Sequence, residues 1–157
     1  MATSAILAKF GTPTAITITV ASLASSTAGV GRQSTLVDNT TDRFQRVHLY
    51  VKIKTGGSQT ANKGIYLYLL KADKTSSANS ITDGAGTSDA GLTIKSAQQI
   101  AGAMCVATTA QTYQFDCVIE NPGPCWGVAI VHDTNANLDS TGGNHCIYYV
   151  GENQEAQ

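Results

Sequence analysis

The chain has 157 residues, of which 42% are hydrophobic and only 13% charged, with 10 Lys plus Arg against 11 Asp plus Glu. This near-neutral balance, without any run of Lys or Arg, argues against a nucleic-acid partner, whose phosphates attract clustered positive charge. Exposed helices rely on Glu, Lys and Arg, so the scarcity of these residues favours strands and turns. We expect a single domain over residues 1–157, which is long enough to bury a sizeable core.

The first segments of the chain carry no membrane or export signal. No stretch approaches the roughly 18 apolar residues that cross a bilayer. The opening MATSAILAKFGTPTAITITV has no basic region before its apolar part, and Pro13 interrupts it. We therefore expect no membrane partner and a protein that stays in the cytoplasm where it is made.

Strand-like alternation of apolar and polar residues recurs along the chain. It is strict in RVHLYVKIK (46–54), where Val47, Leu49, Val51 and Ile53 share one face. A short run that is apolar on both faces, such as WGVAIV, indicates a central strand covered on both sides. The remaining candidates are AITITV (15–20), IYLYLL (65–70), TYQFDCVI (112–119) and HCIYYV (145–150).

The segments between these strands are rich in Gly, Ser, Thr and Asn, the residues of turns. The longest is TSSANSITDGAGTSDAG (75–91). One segment, KSAQQIAGAM (95–104), fits either a short helix or an irregular strand, and residues 152–157 are predicted to be a frayed polar tail. Together the pattern predicts an all-β, single-domain, jelly-roll-like β-sandwich of seven to eight strands with long turn-rich loops.

The sequence PGPCWGVAIVHD (122–133) raises the question of a catalytic cysteine. A Cys-Trp pair also occurs at the active site of papain-like proteases, and His132 or His145 with Asp133 would complete a triad. However, that nucleophile lies at a helix N-terminus, whereas Cys125 precedes a β-prone run. We interpret the segment as a turn that leads into a buried strand, and we expect no enzymatic activity and no catalytic residue.

The remaining reactive residue types show no metal or cofactor pattern. Cys105, Cys117, Cys125 and Cys146 form no CxxC pair, so we expect four reduced thiols that pack as small apolar residues. The three histidines, His48, His132 and His145, are assigned surface hydrogen-bonding roles. Asp83 and Asp89 fit turn capping, although the sequence leaves open whether they bind an ion.

The order of several short segments resembles a group of small virion proteins of tailed bacteriophages. The resemblance spans residues 28–151 and is carried by GRQSTLVDNTT, LYVKIKTG, YLLKAD, ITDGAGTSDAGLTI and PCWGVAIVHDTNANLDSTGGNHCIYYVG. It implies a jelly-roll-like capsid decoration or cement protein that lies on the capsid surface of the virion, with the major capsid protein shell as partner. It also implies a homotrimer and offers no catalytic residues.

Two alternatives remain beside this reading. The first is a tail-associated or fibre-associated virion protein. The second is a carbohydrate-binding β-sandwich module, in which strand tyrosines stack on sugars. The candidate platforms are Tyr50, Tyr66, Tyr68, Tyr148 and Tyr149.

The alternation in IYLYLL places Tyr66, Tyr68 and Leu70 opposite the core face. A bulky aromatic face is costly to leave in water, so some surface must cover it. The periphery of the second sheet, the loop 75–91 or a neighbouring protomer would serve. We expect a protomer, and assign Tyr66, Tyr68 and Leu70 to a possible oligomer interface.

Overall fold

The computed structural model describes residues 6–156 and contains eleven strands. They are β1 (Ile6–Phe10), β2 (Thr14–Ala15), β3 (Val30–Gln33), β4 (Val37–Asp38), β5 (Arg46–Lys54), β6 (Gly64–Ala72), β7 (Ala90–Thr93), β8 (Gln98–Met104), β9 (Thr112–Glu120), β10 (Cys125–His132) and β11 (Cys146–Ala156). Two single-turn 3-10 helices, Thr82–Gly84 and Gly142–Asn144, lie in the connections.

The strands form two antiparallel sheets, which we call the front and the back sheet. The front sheet has the order β1-β11-β5-β9, with β2 also paired to β11. The back sheet has the order β7-β3-β10-β6-β8, with β4 also paired to β10. Without β2, β4 and β7, the two sheet orders β1-β11-β5-β9 and β3-β10-β6-β8 are those of an eight-stranded jelly roll. The predicted β-sandwich is confirmed.

The core lies between the sheets and is built by the alternation seen in the sequence. Val47, Leu49, Val51 and Ile53 of β5 are all buried, while the intervening residues face outward. Trp126 of the back sheet is fully buried and meets the ring of Tyr149 edge to face, with 5.3 Å between centroids. Because one cluster of buried residues joins both sheets, the two sheets share a single core.

The outer side of the back sheet around Leu70 is covered by the segment 73–97 of the same chain, within which β7 is the edge strand of the sheet and the residues on either side of β7 lie over it. Every residue of β10 is buried, as the two-sided apolar run predicted. A second cluster, Leu70, Ala85, Leu92 and Ala129, forms on this outer side. The buried Gln33 fixes the covering segment, because its amide donates to the carbonyl oxygens of Gly86 (2.8 Å) and Ser88 (2.6 Å).

One predicted strand is shorter than expected, and one ambiguous segment is found to be a strand. In AITITV only Ala15 belongs to a ladder, as the second residue of β2, although Ile16 and Val20 are buried as the alternation requires. The ambiguous segment 95–104 forms β8, an irregular strand. Its register with β6 shifts between Leu67 and Tyr68, so Ile100 is an extra residue in the ladder.

The predicted frayed tail is also wrong for the residues described. Glu152 to Ala156 continue β11 and pair with β1, in a register that joins Glu152 to Phe10 and Ala156 to Ile6. Polar composition suggested disorder, but Glu152 is only 7% exposed and is held by Arg46 and His48. Gln157 lies outside the described residues.

Candidate binding surfaces

The cysteine considered as a nucleophile lies far from the histidine on its own strand. Cys125 and His132 occupy the two ends of β10, seven residues and therefore about 23 Å apart at the usual strand rise. His145 is held elsewhere, with Nε2 2.8 Å from the carbonyl oxygen of Asp139. Cys125 is 1% exposed, and burial raises the pKa of its thiol. The geometry brings together no nucleophile and base from this set.

The surface role predicted for His132 is wrong. The side chain is fully buried, with Nε2 donating to the carbonyl oxygen of Leu23 at 3.0 Å and Nδ1 3.0 Å from the hydroxyl of Thr134. Burial lowers the pKa of His132, so the neutral imidazole is favoured. The residue crosslinks two connections at one end of the sandwich.

The carboxylates of Asp83 and Asp89 each bind other groups of the protein, and the two have different partners. The carboxylate of Asp83 accepts hydrogen bonds from the backbone N–H groups of Lys95, Ser96 and Ala97. Asp89 forms an ion pair with Arg32. Within residues 6–156, no group of three or more His, Cys, Asp or Glu side chains is arranged to hold a metal ion.

The chain itself covers part of the face that was predicted to be an oligomer interface, at Leu70. Leu70 has no exposed surface and packs against Ala85 and Leu92 of the covering segment. Leu70 is therefore unavailable to a neighbouring protomer, and the loop, one of the three covers considered, supplies its contact. Tyr66 and Tyr68 remain half-buried, so their role at an interface stays a prediction.

The outer face of the front sheet, in contrast, carries exposed apolar side chains. Phe10, Tyr50, Val118 and Tyr148 are 58%, 51%, 46% and 42% exposed. We call these four residues the front-face band. Tyr50 and Tyr148 are direct cross-strand partners, and the ring of Phe10 lies edge-on to His48 with 5.6 Å between centroids. Such contiguous apolar surface marks interaction sites.

A shallow depression of about 270 Å³ is lined on one side by the two tyrosines of this band. We call it the Tyr50–Tyr148 depression. Its outward-facing lining adds Lys52, Gln114, Asp116 and Cys146 to the two rings. The sequence singled out both tyrosines among five candidates, whereas only the strand register places them side by side. Tyr149, one residue along, turns inward against Trp126.

A row of paired charges lies beside the band. Arg46 donates to Glu120 at 2.9 Å and lies 3.6 Å from Glu152, whose other oxygen is 2.7 Å from His48 Nε2. Because each carboxylate has a cationic or imidazole partner, this row offers a visiting ligand little unpaired charge.

A second uncovered feature is a two-stranded ribbon that extends past the sandwich. The last partner of β11 on β5 is Arg46, opposite Glu152, so residues 153–156 pair only with β1. We call β1 with Glu152–Ala156 the β1/β11 ribbon. All five residues of β1 are exposed, and Ile6 and Leu7 are 67% and 47% exposed. A cavity of about 400 Å³ separates this ribbon from the turn that holds Asp42 and Phe44.

No model of a known protein family matches the chain, and no curated protein matches it in sequence. In the part of the chain that the structure describes, no helix is long and apolar enough to cross a membrane.

Proposed function

We propose that the protein is a non-enzymatic structural component of a bacteriophage virion, a decoration or cement protein that binds the outer surface of the assembled head. The resemblance of residues 28–151 to small virion proteins supports this proposal, and the jelly-roll strand order agrees with it, since viral capsid proteins and lectins use this architecture. The structural observation that supports attachment to the head is the exposed β1/β11 ribbon.

The ribbon has the properties of a docking element. An isolated pair of strands is at best marginally stable in water. Here the pair carries Ile6 and Leu7 on alternate faces, and β1 is the last strand of its sheet among the described residues. An open strand edge with exposed apolar side chains readily accepts a further strand from a partner. A surface of the major capsid protein would complete this ribbon.

Attachment of this kind stabilises a shell by mass action. A protein that binds the assembled shell and not its separated subunits shifts the equilibrium toward assembly. The resemblance implies trimers, and three ribbons on one trimer would bind with an effective concentration that strengthens weak single contacts. Light scattering of the isolated protein should then give the mass of three chains, whereas a monomer at micromolar concentration would contradict the trimer.

Co-sedimentation with phage heads that lack the protein tests the proposal. The wild-type protein should sediment with heads and raise the temperature at which they release DNA. Replacing Leu7 by Glu in the ribbon should weaken binding at least tenfold. Val106→Glu is the matched control, because Val106 is 58% exposed but lies outside the ribbon, and it should bind as wild type. Binding to tails alone would favour the tail or fibre alternative, and binding to neither would refute the virion function.

A further inference from the structure

We propose that the Tyr50–Tyr148 depression on the front sheet binds a neutral saccharide. This activity is separate from attachment to a shell, because the depression lies on the body of the sandwich and the ribbon extends beyond it. The structure narrows five candidate tyrosines to two that share one site.

The rings of Tyr50 and Tyr148 are paired on one face of the front sheet. Tyr148 of β11 lies directly opposite Tyr50 of β5 on the same sheet face, so their Cβ atoms are about 5 Å apart. Both rings are roughly half exposed, at 51% and 42%. Sugar rings have an apolar face of C–H groups that packs on aromatic rings, and two rigid neighbouring rings offer such a platform without the entropy cost of long flexible side chains.

Polar side chains border the two tyrosine rings in the depression. Asp116 of β9 is the cross-strand partner of Tyr50, and Gln114 is the partner of Lys52, so these three polar side chains border the rings on one side. Gln114 and Asp116 are exposed at the surface of their strand, with polar atoms available to solvent. A carboxylate, a carboxamide and an ammonium group supply acceptors and donors for several hydroxyl groups.

The charges of the lining favour a neutral ligand. Lys52 and Asp116 contribute one positive and one negative charge to the lining. These two charges cancel, so the lining has no net charge with which to attract an anion or a cation selectively. A polyhydroxyl ligand satisfies both without leaving either charge opposed. The volume, about 270 Å³, is at the small end of ligand sites, which suits one sugar unit.

Saturation-transfer NMR with the methyl glycosides of glucose, galactose, mannose and N-acetylglucosamine tests the site. At least one of these probes should bind saturably, with dissociation constants in the millimolar range that single sugars usually show. Tyr50→Ala and Tyr148→Ala should each weaken that binding at least tenfold, because each removes a stacking ring. Asp116→Asn should weaken it severalfold, and Tyr50→Phe should retain most of the affinity.

Phe10→Ala is the matched control. Phe10 is an equally exposed aromatic residue on the same sheet face but outside the depression, so its loss should leave sugar binding unchanged. The proposal is overturned if none of the four probes binds, or if Phe10→Ala weakens binding as much as Tyr50→Ala does. It is also overturned if Tyr50→Ala leaves sugar binding intact and instead changes the mass of the protein in light scattering, which would make this face a contact between copies. Head binding by Tyr50→Ala, Tyr148→Ala and Asp116→Asn, which all lie outside the ribbon, should stay at the wild-type level, so failure here is distinguishable from failure of the virion proposal.

Discussion

At the scale of single residues, the buried His132 couples stability to pH. Burial lowers its pKa below the usual value of 6.5, so the unfolded chain binds a proton more readily than the folded protein does. The contribution of the neutral imidazole to stability is therefore complete above about pH 7 and declines as the pH falls through about 6.5. For one proton the decline is at most about 1.4 kcal/mol per pH unit.

We accordingly predict that the free energy of unfolding, measured with urea, is lower at pH 5.5 than at pH 7.5. The variant His132→Gln should be less stable than wild type at pH 7.5, because it disturbs the contacts with Leu23 and Thr134. It should nevertheless lose less stability between the two pH values. An equal loss in the variant and in wild type would show that other groups produce the pH dependence.

The four cysteines give a second prediction at this scale. All four are free thiols, so alkylation under denaturing conditions should modify four sites. In the folded protein, Cys105 and Cys125 are buried, and burial raises the pKa of Cys117 to about 11. Cys146 lines the open Tyr50–Tyr148 depression and should react first with iodoacetamide. Mass spectrometry after proteolysis locates the label, and first modification at Cys125 would contradict this burial pattern.

At the scale of elements, the segment 73–97 acts as a cover for the back sheet. Leu70→Ala should lower the free energy of unfolding by about 2–5 kcal/mol, the usual range for a buried leucine. The mass in light scattering should not change, since Leu70 contacts the covering segment. Val106→Ala, at an exposed site, should stay within about 0.5 kcal/mol of wild type. A Leu70→Ala protein of unchanged stability but smaller mass would instead place Leu70 between protomers.

The elements also show what the sequence could predict. Strict alternation identified β5 to the residue, because one face of that strand packs on the core and the other meets water. The same rule correctly placed Ile65, Leu67 and Leu69 inward. It said nothing of what lies above the opposite face, because covering Leu70 depends on a distant segment whose position is fixed by Gln33. Long-range contacts of this kind leave no local period in the sequence.

The candidate site could be predicted from the sequence only in part. The sequence indicated which tyrosines lie on strands, but pairing Tyr50 with Tyr148 requires the register between β5 and β11, nearly 100 residues apart. The ribbon was missed because residues 152–156 are polar, and polarity alone resembles a frayed end. Their order comes from pairing with β1 at the opposite end of the chain, including the ion pair between Lys9 and Glu155.

At the scale of the whole molecule, the two outer faces of the sandwich differ. The segment 73–97 covers the outer side of the back sheet around Leu70, although Met104 of β8 is 60% exposed, whereas the front face and the β1/β11 ribbon leave several apolar side chains in water. This difference suits a protein that attaches to a larger particle through one surface and leaves another surface accessible to ligands. In the proposed arrangement, the ribbon contacts the shell and the Tyr50–Tyr148 depression remains accessible to sugars.

An image reconstruction of the phage particle that contains this protein tests most directly whether the protein is attached to the outer surface of the head through the β1/β11 ribbon. The account predicts density for the jelly roll on the outer surface of the head, at repeated positions, with the β1/β11 ribbon as the part in contact with the major capsid protein. Density confined to the tail, or copies on the head that touch the shell through Tyr50, Val118 and Tyr148 while the ribbon points into solvent, would contradict it.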